Sequence, residues 1–252
     1  MNSSVLVKGI KIIEGLSIKG PQTIENLYKS TKLSRSSIYR VLSTLEETGY
    51  TVRTRVGVED LWEVDLKILN LLSNILSRID LKTITRSTLM DLADKTKEIV
   101  QLGILKDKKF LILDVIQKNS SIINVAPVGT MVDIYVCAGG LAIAAYLNDD
   151  EINSLLEDNE FISHSERTIT DKNEFKNLLK KVRSQGYSID DQYFAASHRC
   201  IGAPIFDYSN NVIAALNISG HIKTITDDKI DELAQIVKTA GLEASRKLGF
   251  QG

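Results

Sequence analysis

Signatures of catalysis are missing from this chain of 252 residues: it has no G-x-S-x-G, no Walker-type phosphate loop, no G-x-G-x-x-G and no H-E-x-x-H. Histidine occurs only three times, at His164, His198 and His221. The chain is therefore not expected to be an enzyme, and a small-molecule hydrolase or transferase with a helical head has no motif behind it. Cysteine occurs twice, at Cys137 and Cys200, with no C-x-x-C pair. Two isolated thiols suit a reducing compartment rather than a disulfide framework. His198 and Cys200 share one strand face, but their spacing matches no metal-ligand motif, so neither metal nor cofactor is expected. No apolar run reaches the roughly 18 residues that a bilayer crossing takes. Residues 1–19 interleave Lys8, Lys11 and Glu14 with apolar positions, unlike a signal peptide, so no membrane role and a cytoplasmic location are expected. There is no internal repeat and no low-complexity segment.

Apolar residues make up 43% of the chain and charged ones 25%, enough for a sizeable core in one large domain or two smaller ones. The net charge of −1 is unevenly distributed. Residues 19–55 carry +4, residues 1–18 carry +1, and the remainder from Val56 carries −6. A basic head on an acidic body suits a nucleic-acid module attached to something else, and chance asymmetry is the competing reading.

Residues 4–18 repeat apolar positions at helical spacing, and Lys19-Gly20-Pro21 stops them. Thr23 is placed to cap a short helix over 24–30. After a tight turn at 31–33, Ser34 caps a third helix over 35–48, and Gly49 ends it. Ile38, Val41, Leu42 and Leu45 fall on one stripe of that helix, which leaves Arg35, Ser36, Tyr39, Arg40 and Ser43 on other faces. Two short helices around such a turn make a helix-turn-helix. Residues 50–55 and 60–65 then read as a hairpin wing around 56–59.

Residues 65–81 are apolar over too wide a face for a helix alone in water. This linker helix packs either on its copy in a second subunit or into the next domain. Beyond Thr83 helices alternate with strands: a helix at 85–96, strands at 99–106 and 109–117 turning at Asp107-Lys108, a possible strand at 122–125, and an apolar small-residue stretch at 134–147. Helices at 149–159 and 170–185 follow, then strands at 188–190, 199–207 and 211–219, and a final helix to Leu248 capped by Thr226. That pattern predicts an α+β architecture, an antiparallel sheet with helices on its faces.

At particular blocks the chain resembles the IclR family of transcription regulators. Leu33-Ser34-Arg35-Ser36-Ser37-Ile38-Tyr39-Arg40-Val41-Leu42 and Leu45-Glu46-Glu47-Thr48-Gly49-Tyr50 carry the likeness in the head. Gly186-Tyr187-Ser188-Ile189-Asp190-Asp191, Arg199-Cys200-Ile201-Gly202-Ala203-Pro204-Ile205 and Ala214-Ala215-Leu216-Asn217-Ile218-Ser219-Gly220 carry it in the body. The resemblance implies a winged helix-turn-helix over 1–65, a linker and dimerisation helix over 66–82, and a GAF-like effector-binding domain over 83–252. It implies a homodimer or homotetramer that binds double-stranded DNA at a pseudo-palindromic operator, as repressor or activator. The effector implied is a small organic acid or aromatic metabolite. Gln192-Tyr193, the stretch Ala195-Ala196-Ser197-His198, Leu141 and Asn217 depart from the family's usual residues in or beside the expected pocket, so the ligand is not transferable.

For DNA the expected mechanism places the third helix in the major groove, with Arg35 and Arg40 reaching base edges or phosphates. Ser34, Ser36, Ser37, Tyr39 and Ser43 would hold phosphates and set register. Arg53 and Arg55 on the wing would touch backbone or minor groove. The alternative is a sensor whose winged helix docks a protein. For the effector the expected residues are Ile134, Tyr135, Ala138, Gly139 and Gly140 in a loop, with Asp190, Cys200, Asn217 and Ser219 on strands. Alternation puts Asn217 and Ser219 on one face. Each has a plainer reading: Gly139 and Gly140 as helix packing, Cys200 as a small buried apolar residue, Asp190 as a turn cap.

Overall fold

A computed structural model describes residues 5–70, 80–118, 126–157 and 160–252. The chain divides into two compact units, Met1–Ile79 and Asp80–Gly252.

In the first unit α1 (Val5–Lys19), α2 (Ile24–Thr31) and α3 (Arg35–Glu47) precede a two-stranded antiparallel hairpin, β1 (Thr51–Val56) and β2 (Glu59–Val64). The caps lie where the sequence puts them. Thr23 accepts the Asn26 N–H, and Ser34 accepts the Ser37 N–H. Lys32, at φ 58°, takes the left-handed conformation that closes α2 and turns the chain into α3. Ile38, Val41 and Leu42 then meet Ile12, Leu16 and Leu27 in one core. Trp62 joins them at 1% exposure, and its backbone exchanges hydrogen bonds with Gln22, so the wing is bonded to the α1–α2 connection. Each such fully buried side chain contributes about 1.5–3 kcal/mol relative to exposure. The wing turns through Gly57-Val58 alone, two residues rather than four.

Beyond the wing, Asp65 accepts the Lys67 N–H and residues 68–70 are helical. Most of the expected linker helix lies outside the described residues. Its far end needs correction: Asp80 is an extended N-cap whose carboxylate accepts the Lys82 N–H, so Leu81 belongs to the next helix, α4 (Leu81–Thr96). That helix begins four residues earlier than the expected start at 85.

The second unit is built on a six-stranded antiparallel sheet in the order β5-β4-β3-β8-β7-β6. Its strands are β3 (Ile99–Lys106), β4 (Lys109–Ile116), β5 (Met131–Asp133), β6 (Ser188–Asp191), β7 (His198–Phe206) and β8 (Val212–His221). β5, three residues at one edge, was not expected, and the expected strand at 122–125 lies outside the described residues. Period-two alternation divides each strand between two faces. Leu102, Ile201, Ala203, Leu216 and Ile218 pack with Leu89 and Leu92 of α4 and with Ala234, Val237 and Ala244 of the final helix α8 (Ile230–Lys247). Thr226 does not cap α8: its side chain makes no capping bond, and a 3₁₀ turn over Asp227–Lys229 leads in instead. On the opposite face lie Phe110, Ile112 and Ala215 with α5 (Ala138–Ala144). A satellite core joins α5 to α6 (Asp149–Glu157) and α7 (Lys172–Gln185), the latter capped by Asp171 rather than Thr170. Among the described residues no helix is long and apolar enough to cross a membrane.

Candidate functional site

The first unit exposes one face of α3 and the wing. The stripe that buries Ile38, Val41 and Leu42 turns Tyr39 and Arg40 outward, Tyr39 at 51% exposure. Among the described residues Arg40 and Arg55 make no ion pair. Arg35 and Arg53 are differently situated. The Arg35 guanidinium lies 2.6 Å from Glu25 and 4.0 Å above the Tyr28 ring. Arg53 is shared between Glu46 at 3.5 Å and Asp60 at 3.7 Å, over the face of Trp62. Ser34 is occupied as the cap and also donates to Ser37 Oγ at 2.9 Å. Ser36 Oγ lies 3.3 Å from Ser34 Oγ, and Lys8 reaches Ser37 Oγ at 3.5 Å. Ser43 is half-buried. The sequence missed Glu25 and Tyr28 as partners of Arg35, because ten residues and a turn separate Glu25 from it.

In the second unit a cavity of about 510 Å³ opens on the sheet face opposite α4 and α8, within the size range of small-ligand sites. Of the nine residues expected to bind an effector, Ala138, Asp190, Cys200, Asn217 and Ser219 line it together. Register explains the meeting. β8 pairs Asn217 with Gln101 on β3 and Ser219 with Cys200 on β7, while β6 places Asp190 opposite Cys200. Side chains of directly opposed residues share a face.

Ile134, Tyr135, Gly139 and Gly140 do not line it, and the stretch is not a loop. Ile134–Val136 form a 3₁₀ turn and both glycines sit inside α5, fully buried. A Cβ on Gly139 would penetrate the Phe110 ring, and one on Gly140 would lie 2.6 Å from Ile134 Cα. The glycines thus allow α5 to approach the sheet. Tyr135 points elsewhere, stacked on Phe161 at 4.2 Å with its hydroxyl bonded to the backbone of Ile162. Gln101, Phe110, Asp133 and Phe194 line the cavity unanticipated, and His198, expected in or beside the pocket, lines it as well. One signal was available: Gln101 is a polar residue inside the apolar run 99–105, as Asn217 is within its own strand.

Buried polar groups give the cavity its chemistry. Asn217, 2% exposed, donates from Nδ2 to Gln101 Oε1 at 3.0 Å, while its Oδ1 has no hydrogen-bond partner among the described residues. Cys200 Sγ lies 3.3 Å from Ser219 Oγ. Asp190, also 2% exposed, accepts the Tyr193 N–H at 2.7 Å. Burial pushes its carboxyl up to about 7; hydrogen bonds from the Tyr193 and Phe194 N–H groups oppose that shift without cancelling it. Burial likewise raises both cysteine thiols, which disfavours reactive thiolates. Next to Asp190 the chain is held by a charged strut. Buried Arg199 pairs with Asp191 at 2.7 Å and Asp227 at 2.8 Å and donates to Ile225 O, and Arg167 binds the other Asp191 oxygen. Burial alone would raise the Asp191 pKa, but hydrogen bonds from Gln192 and Arg199 bring it below the usual carboxylate range. The strut anchors both ends of the 192–198 turn, which carries Phe194, Ala195 and His198 to the cavity. Among the described residues no cluster of His, Cys, Asp and Glu is arranged to hold a metal.

The winged helix-turn-helix of the first unit and the open cavity of the second are the make-up expected of a DNA-binding transcription regulator, and the family matches place the chain in that class. The chain belongs to the IclR family: residues 73–246 match the model of the bacterial transcriptional regulator IclR C-terminal domain, and residues 5–55 match the IclR helix-turn-helix domain. It is 29% identical over 248 residues to the HTH-type transcriptional regulator KdgR of Escherichia coli, a match spanning 98% of this chain and 93% of the relative. It is 28% identical to the transcriptional repressor IclR of the same organism, over 97% and 89% of the two chains. The crystal structure of the Thermotoga maritima IclR protein superposes with a TM-score of 0.65 at 28% identity, covering 97% and 98%. The Agobacterium tumefaciens repressor BlcR shares the fold at a TM-score of 0.79 and 22% identity, covering 98% of each chain. The protein is accordingly a transcriptional regulator and not an enzyme.

Proposed function

We propose that this regulator is ligand-responsive: it binds a pseudo-palindromic operator as a homodimer or homotetramer in the cytoplasm, and a small molecule in the second unit changes its DNA affinity. The observation that carries the reading is the 510 Å³ cavity, walled by Phe110, Ile112 and Phe194 and lined by the buried polar groups of Asp190 and Asn217, the latter with its Oδ1 unpartnered among the described residues. Apolar walls with a few placed polar groups are the usual make-up of small-ligand sites. In this reading 1–65 bind DNA, the linker that follows, ending before the Asp80 cap, joins and dimerises the subunits, and 80–252 bind the effector.

On DNA, α3 enters the major groove and Arg40 is its reading cation, with Tyr39, Ser36 and Ser43 beside it. Arg55 follows the backbone from the wing. Arg35 serves DNA only as far as Glu25 releases it. Leu66 and Leu69, 78% and 52% exposed, are apolar surface consistent with a subunit contact in the linker. Two heads about 34 Å apart would read half-sites one helical turn apart. A ligand that binds one head spacing better shifts the population toward it, by no more than its differential affinity.

Selection of bound duplexes from a random pool tests this reading, followed by sedimentation of the complex. Enrichment of an inverted repeat bound by an even number of chains is expected. Absence of any enriched sequence would point to a winged helix that docks protein instead.

A further inference from the structure

We propose that His198 selects the effector, so that the cavity prefers an extended dicarboxylate over a monocarboxylate of the same length. This rests on the effector reading above and specifies its ligand. The sheet forms the cavity floor, and register sorts its polar residues into rungs two residues apart along β7 and β8. In the first rung Gln101 is opposite Asn217, which is opposite Gly202. In the second Ser219 is opposite Cys200, which is opposite Asp190. In the third His198 is opposite His221, and of that pair His198 lines the cavity. The start of α5 closes the first end, since a Cβ on Gly202 would lie 2.8 Å from the carbonyl of Ala138. Four residues of strand separate Gly202 from His198, about 13 Å at roughly 3.3 Å per residue. The cavity is thus long in the strand direction, with His198 at the end far from α5.

Open donors stand at both ends. Gln101 spends its Oε1 on Asn217 Nδ2, and its Nε2 makes no hydrogen bond among the described residues. At the far end half-buried His198 holds its Nδ1 3.2 Å from Ser197 Oγ, and its Nε2 has no partner among the described residues. A Ser197 hydroxyl that donates to Nδ1 leaves the ring proton on Nε2, free to be given to a ligand oxygen. Among the described residues no carboxylate pairs with His198 or His221, so no protein acid competes for that nitrogen. Between the ends Asp190 keeps its proton below about pH 7 and there brings no like charge. Phe110 and Phe194 supply apolar contact for a methylene chain. A dicarboxylate spanning the rungs sets an acceptor against each donor. A monocarboxylate of the same length leaves one donor facing a methyl group and forgoes a charge-assisted hydrogen bond.

Matched acids separate the outcomes. Calorimetric titration of the full chain at about pH 6, below the Asp190 titration, would compare adipate with hexanoate and glutarate with pentanoate. The better diacid should bind roughly tenfold tighter than its monoacid. His198→Leu should bring that ratio to about one, whereas His198→Gln, which keeps an N–H, should retain part of it. A ring that only braced the 192–198 turn would weaken both acids alike. Gln101→Leu should weaken the diacid as well, from the other end. If the His198 variants do not fold, the wild type decides: the His198 ring signal in NMR should shift on saturation with the diacid, and an unmoved signal would overturn the assignment. A diacid-to-monoacid ratio near one in wild type, or one that both His198 variants preserve, would overturn the role of His198 while leaving the effector reading standing. Absence of binding by every acid, or binding that neither Gln101→Leu nor His198→Leu moves, would overturn the effector reading of the cavity itself.

Discussion

Replacing Asp190 by Asn removes one carboxyl from the cavity wall, and its cost or benefit depends on pH in a calculable way. In the folded chain burial raises this carboxyl from an ordinary 3.8 to about 7. The groups around it do not supply a counter-charge: Asp191 adds repulsion, Cys200 and Cys137 are uncharged thiols, and Tyr193 contributes a backbone N–H. Below about pH 4 both folded and unfolded chains hold the proton, and Asp190 adds no pH dependence. Between about 4 and 7 the unfolded chain loses its proton while the folded chain keeps it, so stability falls as pH rises, levelling off above 7. At roughly 1.4 kcal/mol per unit, the full loss is on the order of 4 kcal/mol. Asn carries no such proton, and its Oδ1 can still accept the Tyr193 N–H. The stability advantage of Asp190→Asn should therefore grow from pH 4 to pH 8, measured by urea unfolding at several pH values. A difference between variant and wild type that stays constant within about 0.5 kcal/mol over that range would refute the reasoning.

Other perturbations follow from the same geometry. Glu25→Gln should release Arg35 toward DNA, steepening the salt dependence of binding by up to about one phosphate contact, as read from anisotropy against log salt. Gly139→Ala should lower stability by about 1–3 kcal/mol, because the added methyl must displace the buried Phe110 ring; thermal unfolding measures it. Arg199→Ala should loosen the 192–198 turn, seen as faster amide exchange from Tyr193 to His198, since three segments lose their common partner.

The helix-turn-helix was readable because its signals are local. Thr23 and Ser34 cap, Lys19-Gly20-Pro21 and Gly49 stop, and one apolar stripe chooses the buried face of α3. The β3–β4 hairpin was equally local, with Asp107 and Lys108 both taking positive φ in the turn. What was missed depends on distance. The apolar run ahead of Leu81 masked the Asp80 cap, because hydrophobic spacing continues through a break that only a side-chain hydrogen bond reveals. Gly139 and Gly140 read as a loop that admits a ligand, since Phe110, the ring they accommodate, lies almost thirty residues upstream. Strand alternation gave Asn217 and Ser219 a shared face, but register alone sets Gln101 opposite Asn217. Arg35 and Arg40 look alike in sequence; only the packing of α2 against α3 commits the first to Glu25 and leaves the second open.

The most direct test of the account is salt-titrated binding of the full chain to its selected operator, wild type beside Arg40→Ala. The account predicts a steep loss of wild-type affinity with salt. It further predicts a weakening of about 1–3 kcal/mol in the variant, with subunit association unchanged. Equal affinity of the two proteins, or binding indifferent to salt, would contradict it.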